Sequence, residues 1–263
     1  MPLVRLKLAS ALLIPAAVAG AHAFGVGDHP APVALSASVP SSVVATVAAR
    51  SAADDNLPAR GVDVSHYQGH VDWAAVEDAG VGFAFVKATE GVTFTDPTFR
   101  RHWEALGETA ILRGAYHRFR AGRGAAAQAE HFLGVVSVRE GDLPPVLDVE
   151  ATDGVSDATL IRGVRTWLRT VEARTGVRPI VYTKPGFRRA HLGAALDDYP
   201  LWIAEYGVDE PSHARWTFWQ HSEQGRVPGI QKIVDLDRFN GTRGELRRLA
   251  ISDRAAGEHL AER

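Results

Sequence analysis

The 263-residue sequence contains no cysteine. Disulfides, thiolate metal sites, a cysteine nucleophile and a lipid-modified N-terminal cysteine are thereby excluded. Excess charge is also scarce, with 29 Lys and Arg against 31 Asp and Glu, and the cations form no stripe. That argues against nucleic acid as a partner. After the N-terminal region no apolar run approaches the ~20 residues of a spanning helix, so no stable membrane insertion is expected once that region is removed. A Gly-x-Ser-x-Gly elbow is missing, which removes the usual serine esterase, and no internal repeat is evident.

What is present begins with a targeting signal. Arg5 and Lys7 precede an apolar run from Leu8 to Gly20, and Ala21-His22-Ala23 supplies a small-x-small cleavage site. Residues 1–23 read as a cleaved signal peptide, and residues 24–59, rich in Ala, Val, Ser and Pro, as a flexible linker. A secreted or periplasmic protein is expected. Residues 60–250 then form one catalytic domain, with a C-terminal tail at 251–263.

Within the domain, short apolar, β-branched runs occur at 61–65, 83–87, 111–117, 145–150, 179–183, 201–206, 217–221 and 232–237. Helical periodicity separates the first five, at 73–80, 99–109, 125–136 and 160–176, the last ending on Gly176 as a helix C′ residue. Strand–helix alternation with near-continuous apolar strands predicts a parallel sheet buried on both faces. After the fifth strand only 185–192 offers a short helix, so loops alone link the last three strands. Eight strands suit a closed, irregular, TIM-like α/β barrel, with an open doubly wound sheet as the rival.

A barrel of parallel strands works at the C-terminal ends of its strands. Acids sit in or near these ends: Asp63 in the first run, Asp148 and Glu150 closing the fourth, Glu205 closing the sixth, Asp235 and Asp237 in the eighth. Asp148 and Glu150, in PPVLDVEATDG, are one residue apart, so on a strand they share a face about 6.6 Å apart along the backbone. Such a pair suits glycoside hydrolysis, in which a protonated acid serves the leaving oxygen and an anionic partner the oxocarbenium-like centre. Crowding by Asp148 is expected to hold Glu150 protonated while Asp148 stays charged. Tyr67, Tyr116, Tyr182, Trp202, Tyr206 and Trp219 lie near the same strand ends and fit either sugar binding or core packing.

GVDVSHYQG, FVKATEG, GAYHRF, LDVE, IVYT, LWIAEY, WQ and VDLDRFNG follow one another as in glycoside hydrolase family 25, which the sequence resembles over residues 60–245. Members are lysozyme-type N-acetylmuramidases that cleave bacterial peptidoglycan on an irregular (β/α)5(β)3 barrel. The resemblance implies Glu150 as general acid and Asp148 as its partner. It implies Asp63, Asp235, Tyr116, Tyr182, Trp202 and Gln220 as substrate-binding residues, and a structural or positioning role for Glu90. The implied partner is the peptidoglycan glycan strand, with no cofactor and no metal, and a monomer is the expected state. Asp237 departs from the family, many members of which have asparagine there. Retaining, inverting and acetamido-assisted routes stay open, because side-chain rotamers carry the two carboxyls through both distance ranges. The favoured expectation is net retention without an enzyme-linked sugar.

Other signals are weaker. GRGAAA at 122–127 follows a strand and opens a helix, mimicking a dinucleotide fingerprint, but its connection is long and no acid stands at the required distance. His66 and His70 flank Gly69, which disfavours a helical metal pair. Asn240-Gly241-Thr242 is a formal glycosylation sequon. Two function classes remain: a secreted muramidase, and a non-catalytic glycan-binding module on the same barrel. Loss of the acid marks the second, and both acids are present, so the enzyme is expected.

Overall fold

The computed structural model describes residues 54–252, so the expected signal peptide, most of the linker and nearly all of the tail lie outside the described residues. The strands are β1 (Pro58–Val64), β2 (Phe83–Glu90), β3 (Phe94–Thr95), β4 (Leu112–Arg118), β5 (Val146–Asp148), β6 (Ile180–Thr183), β7 (Leu201–Ala204), β8 (Phe218–Gly225) and β9 (Val234–Thr242). The helices are α1 (Trp73–Asp78), α2 (Phe99–Leu106), α3 (Ala125–Val135), α4 (Asp157–Thr175), α5 (Pro185–Phe187, continued by a π-helical turn at Arg188–Leu192) and α6 (Arg243–Leu249). No helix among the described residues is long and apolar enough to cross a membrane.

β1 pairs with β2 on one side and β9 on the other, which closes the sheet and disposes of the open rival. Eight strands make the ring, and β3 is a short hairpin arm on β2. Pairing is parallel from β1 round to β8 and antiparallel at β8–β9 and β9–β1. The expectation of parallel strands throughout is corrected at β9, because the β8–β9 connection is a loop and parallel return needs a crossover. The reversal carries a consequence for the site. Asp235, near the start of β9, lies opposite Asp63 at the C-terminal end of β1.

Period-two alternation along these strands builds two cores. Phe83, Phe85, Ile180, Trp202 and Phe218 point into the ring, while Val62, Val86, Leu147 and Val181 face outward against the helices. Phe85 is fully enclosed and stacked on Trp202 at 4.5 Å between ring centroids. Phe85→Ala is expected to lower the unfolding free energy by ~3–5 kcal/mol, read by urea denaturation. Gly61 permits the tight inner packing: a Cβ there would lie 2.3 Å from the Phe83 ring.

α4 shows how the sequence sets the outer layer. Ser156 caps its start by accepting from the Thr159 amide, and Gly176, at φ 70°, ends it. Leu160, Val164, Trp167, Leu168 and Val171 recur at helical spacing and are all buried. α6 was not anticipated, although Thr242 and Glu245 form a capping box at its start.

Candidate active site

β4 and β5 lie in register with Arg118 opposite Asp148. Strand β5 ends at Asp148, so Glu150 stands just beyond it, where the Thr183 hydroxyl and Tyr182 carbonyl hold Val149 at both backbone groups. Arg118 Nη1 sits 2.8 Å from Glu150 Oε2 and 3.4 Å from Asp148 Oδ2. Those two oxygens therefore lie within about 6 Å of each other, which with the reach of each carboxyl spans both the retaining and the inverting separations. Lys184 Nζ approaches Glu150 Oε1 at 3.4 Å.

Burial divides the pair. Asp148 is 5% exposed, and its Oδ1 has no hydrogen-bond partner among the described residues. Burial, reinforced by the Glu150 charge and opposed by Arg118 and Lys87, pushes the Asp148 carboxyl up to about 7. The rise therefore falls on Asp148, the more enclosed member of the pair. Arg118 meets both carboxyls, and Lys184 adds a second cation at Glu150.

The other expected acids come to the same mouth. Asp235 is half-buried, and burial with the charges of Glu223 and Glu150 raises it to about 6, against Lys184. Asp63 is nearly enclosed and accepts from Gln220 Nε2 at 2.6 Å. Gln220 Oε1 in turn accepts from Tyr182 at 2.9 Å and from Tyr206 at 2.5 Å, which fixes which end of the amide faces Asp63. Tyr116 stands among Asp63, Asp148 and Asp235, and burial first, then those charges, raises its phenol. Trp202 is 2% exposed, inside the ring beneath the mouth, and donates to Asp237 Oδ1 at 2.9 Å. Glu90 ends β2, bonded by Lys87 at 2.6 Å and Arg120 Nε at 2.9 Å; burial would raise its pKa, but these cations outweigh it and the net shift is downward.

Asp237, the departure from the family pattern, is 1% exposed and in side-chain contact with Asp63. Burial, with the charge of Asp235, raises both acids well above the ordinary range, and the Asp237 charge adds to the rise at Asp63. An acid raised in the folded state contributes stability that is present below pH ~4 and lost as pH rises toward its folded pKa. Asp237→Asn keeps an acceptor for Trp202 and gives Asp63 a donor. Its thermal midpoint should therefore gain on the parent as pH climbs from 4 to 8, and a widening deficit contradicts this.

Sequence reasoning passed over Arg118 and Lys184. Arg118 was legible, since it follows Tyr116 by two on β4 and must share its face. The remaining motifs resolve simply. His66 Nδ1 meets Asp96 Oδ2 at 2.7 Å, 122–127 leads into the N-terminus of α3, and Asn240 donates to the Trp216 carbonyl at 3.0 Å.

Known proteins resemble the chain in sequence and fold. The Escherichia coli K12 protein YegX is 43% identical over 193 residues, 71% of each chain. Lysozyme M1 of Streptomyces globisporus is 34% identical over 213 residues, 74% of this chain and 72% of its own. The crystal structure of the bacterial lysozyme from Streptomyces coelicolor superposes with a TM-score of 0.71 at 33% identity, covering 74% of this chain and 98% of that one. The sequence profile of glycosyl hydrolases family 25 matches residues 62–230, and with these likenesses the chain belongs to that family of glycoside hydrolases.

Proposed function

We propose that the protein is a secreted or periplasmic lysozyme. It hydrolyses the β-1,4 bond between N-acetylmuramic acid and N-acetylglucosamine in peptidoglycan, with Glu150 as general acid and Asp148 assisting the substrate's 2-acetamido group. The observation that carries the reading is the pair of carboxylates on one guanidinium nitrogen at the C-terminal mouth of the barrel. Lysozyme M1 and the Streptomyces coelicolor lysozyme support the substrate class. Asp63, Asp235, Tyr116, Tyr182 and Gln220 border the sugar, and Trp202 supports them from below.

Burial and the Glu150 charge raise the Asp148 carboxyl to about 7, so the pair carries a proton below that pH. Protonation of the leaving oxygen needs that proton on Glu150 when substrate is bound. Asp148, now anionic, accepts the acetamido N–H, and the acetamido oxygen attacks the anomeric carbon. The bond to the leaving oxygen breaks as Glu150 delivers its proton there. Water then opens the cyclic intermediate, giving its proton back to Glu150. Two displacements give net retention. Early-time NMR of a soluble glycan digest should show the β-anomer first; the α-anomer first contradicts the scheme.

The route needs one proton in the pair. Activity should thus fall as pH rises through about 7, the value to which Asp148 is raised. A pH–rate profile flat from 6 to 9 contradicts this.

A further inference from the structure

The outer wall formed by β1, β9 and β8 carries a cationic cavity that the reaction at the mouth does not use. Ala59, Phe218 and Phe239 pack inside the ring, so the alternate residues Arg60, Arg238 and Trp219 face outward. They form one row across the three strands, Arg60 opposite Arg238 and Arg238 opposite Trp219. His221 follows on the same face of β8, and Arg226 lies just past its end. Arg60, His221, Arg226 and Arg238 line a cavity of about 390 Å³ walled by apolar residues such as Val81 and Pro228; Asp237 also borders it, with its side chain turned into the ring to accept from Trp202.

Three features set this cluster apart from solvated surface charge. Like charges directly opposite on paired strands repel, with Cβ atoms only about 5 Å apart. None of the guanidinium groups of Arg60, Arg226 and Arg238 has a carboxylate or hydrogen-bond partner among the described residues. The repulsion is therefore left standing. Second, Arg238 lies over the Trp219 ring at 5.4 Å, which orients its planar fork. Third, Arg243 Nη2 donates to the carbonyl of Gly80, a lining residue, at 2.6 Å, which offsets part of that oxygen's negative charge.

We propose that this cavity is a second, non-catalytic binding site for a phosphate-class oxyanion. Two forks on opposed strands, both lining one cavity, match its several acceptor oxygens, and a dianion neutralises a charge pair that one carboxylate would only halve. His221, held neutral by burial and by the charges of Arg238 and Arg60, adds a ring N–H donor without adding charge. The site faces away from Asp148 and Glu150, and its occupancy does not depend on the reaction assigned to them.

The test is calorimetric and thermal titration of the full chain with inorganic phosphate, against acetate at matched ionic strength. Phosphate should bind saturably and raise the thermal midpoint where acetate does not. The double variant Arg60→Gln, Arg238→Gln should bind phosphate at least tenfold more weakly. Without phosphate it should melt above the parent, because the like-charge pair is gone, and Arg226→Gln should fall between the two in affinity. A poly(glycerol phosphate) chain that competes more tightly than free phosphate assigns the source to a phosphodiester polymer; weaker competition assigns it to the free ion. No saturable binding in the millimolar range, equal responses to phosphate and acetate, or a double variant that binds like the parent overturns the proposal. Peptidoglycan hydrolysis by the same preparations in phosphate-free buffer is read separately, so failure of one assignment leaves the other intact.

Discussion

Glu150→Gln should lower peptidoglycan turnover by about 10³-fold while leaving wall binding in place. The two side chains have the same shape, and the amide oxygen can still accept from Arg118, 2.8 Å from Glu150 Oε2, or from Lys184. What disappears is a transferable proton at the leaving oxygen. Such a loss falls in kcat, because the interaction is made only in the transition state. Reducing-end release measures turnover, and co-sedimentation with purified walls measures binding. A variant that keeps a tenth of the parental rate removes Glu150 from the acid role. Wild-type protein that binds walls and releases nothing favours the glycan-binding module.

Asp148→Asn should cost about 10²- to 10³-fold and also change the pH dependence. The neutral amide cannot stabilise the charge that develops on the acetamido group, and it no longer supplies a proton to Glu150. The alkaline limb near 7 belongs to a pair that includes Asp148, so the residual activity of the variant should lose that limb. Stability should move the other way. A buried acid raised to about 7 contributes stability that is fully present below pH ~4 and lost as pH rises toward 7. Asparagine avoids that loss, so the variant should gain on the parent in thermal midpoint across this interval and then hold a constant margin. Full activity with an unchanged pH profile would separate Asp148 from the chemistry.

Much of the fold was legible because the barrel repeats one physical problem. A parallel strand buried on both faces reads as an apolar run, as in FAFVK, and a covering helix can carry its own start and stop, as Ser156 and Gly176 do for α4. The direction of β9 was not legible. Alternation gives the faces of a strand but not its sense, and only the uncrossed β8–β9 connection hinted at the turn. The carboxylate pair was visible from its spacing alone. The rise at Asp148 was not, since that follows from how deeply the carboxyl sits and which charges reach it. Asp237 makes the same point: a charge expected near the mouth is enclosed at 1% exposure and bound up with Asp63 and Trp202. Its sequence shows the departure, and only the packing shows that the acid is enclosed and its pKa raised.

The central claim is that Asp148 and Glu150 cleave the glycan after N-acetylmuramic acid. Borohydride reduction of the fragments released from purified peptidoglycan, followed by acid hydrolysis and amino-sugar analysis, tests it directly. Muramitol as the reduced product, absent when Glu150→Gln is used, is the predicted result. Glucosaminitol as the reduced product, or muramitol formed equally by the variant, contradicts it.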